Sequence, residues 1–516
     1  MVVFIEICMF ERDKSRREFL EWASAVGLAS IAPATIADVA DASEDRSSDR
    51  ARAERAKPDS VPAARRGDPE APVDLVHPTE RASVRQRVEQ AQQDDDSRIL
   101  YHPRLEREVR ERDDDERINL AVTTVGERNS VVTNHYGRRI DGWRPTDDEV
   151  GRLGQFGDVA FAPKFINTKV SMTDVRVGDV EKIASLPFVV RVNYDEPDQP
   201  LTDKRDLRTS DYYWFENVED NYEIGSTDRI AVIDDGYEAG EGNFAEPHAE
   251  QMGISGLYSK DFTPDGDWSD VTFTRDGEPI YHGTTVADNA AFMLDPDGEQ
   301  GGFNFAIMKV ANEDDSGFPA SRIREALEYS LENDIEVANC SFGSLTDGTC
   351  PSSYCSEYEA YARAGYIPLA AAGNDGSDEY VSNTGGSAWS IGVGGFHGSC
   401  DDEPERHSSS NIGTQEYNGT WWPACSECYD RAGSSEEHPW VYGAYWTNTD
   451  DGWAGGTSNA TPQAAAAALI MQSNGLFDYD EAESIFKNMT FQDICPDDAA
   501  PEGQLLDAWD AYYRTN

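Results

Sequence analysis

Lysine is nearly missing from this sequence. Only nine of the 516 residues are Lys, and beyond residue 200 only Lys204, Lys260, Lys309 and Lys487 remain. Lys and Arg together number 44 against 98 Asp and Glu, a formal net charge of −54. So little positive charge excludes binding to phosphate backbones and to anionic lipid headgroups, which such a surface repels. Long apolar runs are missing too, since none reaches the ~20 residues that span a bilayer. Disorder throughout is excluded by the 38% hydrophobic and 10% aromatic content, enough to build a core. The length allows roughly two to four domains.

The negative charge is unevenly spread. Residues 201–516 hold 59 acidic and 14 basic residues, a net of −45, and residues 1–200 hold 39 and 30, a net of −9. Dense carboxylates with so little Lys fit a chain kept in solution by hydrated acidic groups where salt screens other charges. At the N-terminus, Ser15-Arg16-Arg17-Glu18-Phe19-Leu20 precedes a short apolar stretch from Trp22 to Ala34, with Ala32-Pro33-Ala34 or Ala40-Asp41-Ala42 as cleavage sites. This looks like a twin-arginine export signal over residues 1–42, with Met1 or Met9 as its start.

Residues 43–115 have almost no aromatics before Tyr101 and read as a polar, disordered linker or pro-segment. From there to residue 200 the texture is α+β. Ile118–Val125, Phe165–Met172 and Val189–Val192 are strand-like, and Val180, Ile183 and Leu186 recur at helical spacing. After residue 200, the apolar runs Ile230–Ile233, Ala306–Val310, Ile335–Cys340 and Ile367–Ala372 alternate with helical patterns such as Ile323, Leu327 and Leu331. Strands buried on both faces and separated by helices predict a doubly wound, mostly parallel sheet, with functional groups beyond the strands' carboxyl ends.

Four segments carry chemistry. Ile233-Asp234-Asp235-Gly236 ends a buried strand, and His282-Gly283-Thr284-Thr285-Val286-Ala287 opens a helix. Ala370-Ala371-Ala372-Gly373-Asn374 ends a strand of small residues. Gly455-Gly456-Thr457-Ser458-Asn459-Ala460-Thr461-Pro462 puts a Ser at the start of a helix with five alanines and little bulk. Singly each reads as a turn or a cap. In the order Asp, His, Asn, Ser, with spacings of 48, 92 and 84 residues, they resemble the D-[ST]-G, H-G-T-x-V-A, A-A-G-N and G-T-S-M-A-x-P patterns of the subtilisin-like serine peptidases. Ala338-Asn339-Cys340-Ser341-Phe342-Gly343 is similar to that family's substrate-strand segment, and Glu502–Ala508 to its terminal segment. The chain is identified as a member of the haloarchaeal secreted type.

The resemblance implies a subtilisin-like catalytic domain over 201–516 and a small α+β, ferredoxin-like propeptide over 116–200 that assists folding and caps the site. It implies Ser458 as nucleophile, His282 as base, Asp234 as its orienting carboxylate, and Asn374 with the Ser458 backbone N–H as oxyanion donors. Substrate is expected to pair with Ser341, Phe342 and Gly343, and Ala371, Ala372 and Gly373 to wall a pocket for a large apolar side chain. The expected partners are a peptide or protein substrate and the chain's own propeptide, with no nucleic acid and, after export, no membrane; the enzyme is expected to be a secreted monomer. The chemistry requires no cofactor and no catalytic metal. Structural calcium, common in the family, has oxygens on offer at Asp261–Asp270 or Asp295–Glu299. The alternative is an inactive binding protein of the same fold.

Departures from the family pattern also set expectations. Asp235 stands where the family has Ser or Thr, and strand alternation points it to solvent. Thr285 replaces a His, Asp288 sits where Gly is frequent, and Asn459 replaces a Met. Cys350 and Cys355 form the easiest local disulfide, Cys425 and Cys428 favour a bridge over half a zinc site, and Cys340 is expected to be free and buried. Residues 400–453 read as an insertion near the cleft. Asn418-Gly419-Thr420 is the better glycosylation acceptor, compared with a sequon at Asn459 that the fold buries.

Overall fold

The computed structural model describes residues 70–75, 103–133, 137–195, 198–200, 229–237, 258–263, 274–275, 278–279, 282–294, 304–311, 317–344, 354–377, 380–397, 405–416, 435–444, 446–449, 452–473 and 475–487. All belong to one compact unit, Ala63–Asn516. The export signal, most of the linker, the Asp295–Glu299 segment, Asn418–Thr420, residues 502–508, and Cys350, Cys400, Cys425, Cys428 and Cys495 lie outside them.

The N-terminal part runs β1 (Val73–Asp74), α1 (Pro103–Glu111), β2 (Arg117–Thr124), β3 (Glu127–Val132), β4 (Arg139–Arg144), α2 (Asp147–Leu153), β5 (Asp158–Phe161), β6 (Lys169–Arg176), α3 (Val180–Ala184), β7 (Val189–Tyr194) and β8 (Gln199–Pro200). Strands β5-β6-β2-β7 form an antiparallel sheet. Alternate residues Leu120 and Val122 of β2 turn to one face, where Leu105, Leu153, Val180 and Ile183 from the helices cover them. Helix α2 starts on a reciprocal cap: Thr146 Oγ1 accepts from Glu149 N at 3.2 Å, and Glu149 Oε2 accepts from Thr146 N at 2.8 Å.

Two expectations need correction. The stretch read as linker contains ordered structure: β1 pairs in parallel with β4, Val73 and Leu75 are buried, and helix α1 buries Leu105. A few well-spaced apolar residues dock onto an existing sheet and core even where the average composition is polar. The expected strand at Phe165 begins instead at Lys169, because the amides of Lys164, Phe165 and Ile166 donate to Glu328 Oε1 at 2.8, 2.9 and 3.2 Å. That carboxyl satisfies the amides without a ladder partner.

Beyond residue 200 come β9 (Arg229–Asp234), β10 (Lys260–Asp261), the hairpin β11 (Thr274–Arg275) and β12 (Glu278–Pro279), α4 (His282–Leu294), β13 (Asn304–Lys309), α5 (Ala320–Glu332), β14 (Val337–Cys340), β15 (Phe342–Gly343), α6 (Cys355–Arg363), β16 (Ile367–Ala371) and β17 (Ile391–His397). These are followed by β18 (Glu405–Arg406), the hairpin β19 (Gly413–Glu416) and β20 (Ser435–His438), β21 (Val441–Ala444), the hairpin β22 (Trp446–Thr449) and β23 (Gly452–Gly455), α7 (Thr457–Ser473) and α8 (Tyr479–Lys487). The main sheet has the order β10-β13-β9-β14-β16-β17-β18, parallel except for β18, with β21 added in parallel to β17.

Strand β9 lies between β13 and β14 and is buried along its whole length. Ile230 and Val232 face the layer holding α4 and α7, while Ala231 and Ile233 face the layer holding α5 and α6. The doubly covered sheet expected from the apolar runs is therefore present. Helix α7 is buried from Thr457 to Gln472, as a helix without a polar face must be, and its alanines let it run close beneath the sheet. Cys340 is free and buried, as expected, and Cys355 is disulfide-bonded.

Buried charges join the N-terminal part to helices α5 and α6. Arg324 makes a bidentate pair with Asp195 at 2.8 Å on both oxygens and donates to Ser171 Oγ at 2.7 Å. Lys169 Nζ faces Glu357 at 3.5 Å, and burial holds this amine down to about 7. Truncating one partner leaves a buried charge uncompensated. Arg324→Leu should therefore destabilise the full chain by ~3–5 kcal/mol in urea unfolding at fixed salt. A loss below ~1 kcal/mol, typical of an exposed pair, would contradict this role.

Candidate active site

The main sheet delivers three strand ends to one edge, and two helices begin there. Strand β9 ends at Asp234, which is fully buried. Asp234 Oδ1 accepts from Asp235 N at 2.8 Å and lies 2.6 Å from His282 Nδ1 at the start of α4. A carboxylate on Nδ1 makes that nitrogen the protonated one and leaves Nε2 as the basic one. The close fit of α4 against β9 requires Gly283, because a Cβ there would lie 2.2 Å from the Gly236 carbonyl oxygen and 3.0 Å from Asp234 Cβ.

Asp235 does not face solvent. It is buried, and its Oδ1 accepts from Gly283 N at 2.7 Å. Strand alternation stops at Asp234, so the next residue sits in a turn that swings its carboxyl under the start of α4. Burial first, and then the charge of Asp234, push this carboxyl up to about 8.

Ser458 is the second residue of α7, where amides have no intrahelical acceptor and the helix end is positive. Its Oγ donates to the Ser341 carbonyl at 2.8 Å, and Ser341 Oγ donates to the Ser458 carbonyl at 3.0 Å. Pro462 makes this second bond possible, since position 462 has no N–H to take the Ser458 carbonyl within the helix. Asn339 Nδ2 holds Ser341 Oγ at 3.0 Å, tying the end of β14 to the start of α7.

The end of β16 is tied to the same helix. Asn374 Oδ1 accepts from Thr457 N at 2.9 Å and from Thr457 Oγ1 at 3.0 Å, and Gly373 N donates to Thr457 Oγ1 at 3.1 Å. With the amide oxygen so held, the Asn374 NH₂ is the end turned away from Thr457. The carbonyls of Ala371, Ala372 and Gly373 accept from Ser382 Oγ at 2.5 Å, Ser382 N at 2.7 Å and Asn411 N at 3.0 Å. Phe342 and Gly343 form β15, which is already paired with β8: Phe342 stands opposite Pro200 and Gly343 opposite Gln199.

The sequence reading missed several partners. Asn339, inside an apolar strand, and Thr457, beside the motif Ser, both hold other site residues. Asn459, substituted for the usual Met, accepts from Asn289 Nδ2 at 3.2 Å, so an amide pair links α4 to α7. The only available signal was the polar residue itself, set in an apolar context. Asp261 is not an open calcium ligand, because Lys309 Nζ lies 3.0 Å from it and Thr263 N donates to it at 2.8 Å. Among the described residues, the one cluster with metal-ligating groups close together is Asp234, Asp235 and His282.

The chain belongs to the subtilase family, whose model matches residues 225–499, just over half of its length. The family match identifies the chain as a serine-type endopeptidase. Solved structures are similar at low identity. The epidermin leader peptide processing serine protease (EpiP) of Staphylococcus aureus is 16% identical, covering 78% of this chain and 99% of that one, at a TM-score of 0.49. Fervidolysin from Fervidobacterium pennivorans, described as a keratinolytic enzyme related to subtilisin, is 14% identical, covering 77% and 61%, at 0.49. A protease of Pseudoalteromonas arctica is 20% identical, covering 57% and 92%, at 0.38. No curated protein matches the chain.

The proton on Asp235 makes a stability prediction. The unfolded chain releases it near 3.8 while the folded chain keeps it up to about 8. This contribution is therefore fully present below the lower value and is lost as pH rises through the higher one. Asp235→Asn keeps an acceptor for Gly283 N and has no such proton. It should remove up to ~1.4 kcal/mol per pH unit from the decline in stability over that window, read by urea unfolding at fixed salt. An unchanged slope would contradict the buried proton.

Proposed function

We propose that this chain is an exported, salt-adapted endopeptidase of the haloarchaeal secreted type, which cleaves peptide bonds through an acyl-enzyme on Ser458. The observation that carries this reading is the 2.6 Å contact between His282 Nδ1 and the buried Asp234 carboxylate, at the edge where Ser458 begins α7. In the reaction, Ser458 Oγ releases its bond to the Ser341 carbonyl and gives its proton to His282 Nε2 as it attacks the substrate carbonyl. Asp234 fixes the imidazole tautomer and stabilises the imidazolium that forms. The Asn374 NH₂ and the Ser458 N–H donate to the oxyanion. The imidazolium then protonates the leaving amine, and water attacks the ester by the same path in reverse.

In this proposal residues 116–200 act as propeptide and intramolecular inhibitor. The pairing of Gln199–Pro200 with Phe342–Gly343 supports that role, since it takes up the edge along which a substrate would lie. The export signal at residues 1–42 and the net charge of −54 favour work outside the cell in concentrated salt, as a monomer.

A fluorophosphonate probe in concentrated salt should label the processed wild-type chain and fail to label Ser458→Ala. Equal labelling of both, or of neither, would contradict the assignment, and the latter would favour an inactive binding protein. Asn374→Ala should lower turnover ~100- to 1000-fold in a chain that still folds, with a stability loss of ~1–3 kcal/mol from the Thr457 donors it leaves without their acceptor. Wild-type turnover would remove Asn374 from the oxyanion site.

A further inference from the structure

Residues 198–200 form the middle strand of a small antiparallel arrangement. On one side Asp198 exchanges both backbone bonds with Phe318, at 3.0 and 2.7 Å. On the other, Gln199 and Pro200 pair with Gly343 and Phe342. A chain gripped on both edges by main-chain pairing is held as an extended peptide ligand is held. The strand runs toward the nucleophile, because Ser341, the residue before Phe342, carries Ser458 Oγ on its carbonyl. Leu201 follows Pro200 in sequence and lies outside the described residues; a cut after Leu201 would make Asp198 the fourth residue before the bond.

The Asp198 side chain enters a built pocket. It is fully buried: Oδ1 accepts from Ser344 Oγ at 2.5 Å and Asn383 Nδ2 at 3.0 Å, and Oδ2 accepts from Tyr354 Oη at 2.5 Å. Tyr354 is itself fully buried. The pocket is braced from within, since Ser344 N donates to Asn383 Oδ1 at 2.9 Å and Asn383 N to the Ser344 carbonyl at 3.0 Å. Three neutral donors thus converge on two oxygens. A carboxylate, which only accepts, matches that set. An amide would have to reverse one hydroxyl so that it accepts the NH₂, and an Ala side chain would leave all three donors unpaired in a buried place.

Resting on the peptidase reading above, we propose that Ser344, Tyr354 and Asn383 form a specificity subsite for an Asp side chain four residues before the bond cut. The enzyme's substrates are then peptides with an acidic residue at that position. Asp198, Gln199 and Pro200 are held as the corresponding part of such a peptide would be, and the sequence continues with Leu201. Neutral donors suit this task on a strongly acidic protein: they bind the carboxylate at short range, while salt screens the long-range repulsion.

The test uses the self-processed full chain in concentrated salt with the p-nitroanilides of Asp-Gln-Pro-Leu and of the same peptide carrying Asn, Ala or Lys in place of Asp. The Asp peptide should exceed the Ala peptide about ten- to hundredfold in kcat/KM, with the Asn peptide between them. Tyr354→Phe and Asn383→Leu should each lower the Asp-to-Ala ratio at least about fivefold. Hydrolysis of all four peptides within about twofold of one another overturns the subsite and leaves the peptidase standing. No hydrolysis together with no fluorophosphonate labelling overturns both. Where a pocket variant fails to fold, the wild-type peptide series still decides.

Discussion

A carboxylate buried at the end of a strand covered on both faces is an expensive arrangement unless something holds its charge. In this chain Asp234 is that group, and His282 Nδ1 and the Asp235 amide are the donors that hold it. Much of the surrounding structure follows from bringing those donors in. Helix α4 must approach β9 closely enough that position 283 has room only for Gly. Asp235, the neighbouring carboxyl, cannot carry a second charge there and retains its proton to about 8. The electrostatics of the site are thus set by one buried charge and by what its neighbours give up to accommodate it.

The start of helix α7 is determined in a different way, by hydrogen bonds alone. Ser341 and Ser458 exchange bonds through their hydroxyls and carbonyls, and Thr457 bridges to Gly373 and Asn374. Pro462 leaves a carbonyl unused by the helix, and the fold uses it as an anchor. The ends of β14 and β16 are therefore fixed relative to the Ser, which is what a site needs when its donors must be aimed before charge develops. The buried Arg324–Asp195 pair makes a similar contribution at longer range, by seating the N-terminal part on α5 so that β8 reaches β15.

Much of the core was legible in the sequence. The apolar runs at 230–233, 306–310, 335–340 and 367–372 correspond to β9, β13, β14 and β16, because a strand buried on both faces leaves an unbroken apolar signature. The positions of Asp234, His282, Asn374 and Ser458 at strand ends and helix starts followed from the same pattern. What could not be read depends on contacts between distant segments. Alternation holds only inside a strand, so it points Asp235, one residue past the end of β9, to the wrong side. Val73–Leu75 reads as linker in the sequence because its partner edge, β4, is more than sixty residues away. The Asp198 pocket draws one side chain each from positions 344, 354 and 383, none with a local pattern, and an Asp-Gln-Pro run does not look like a strand.

The central claim is that Asp234 fixes the tautomer of His282. Nitrogen-15 NMR of the imidazole, on the folded chain in concentrated salt at a pH where the ring is neutral, tests it most directly. The account predicts a proton on Nδ1 and a bare Nε2 in the wild-type chain, with that preference lost in Asp234→Asn. A wild-type ring protonated on Nε2, or one whose tautomer ignores the substitution, would contradict it.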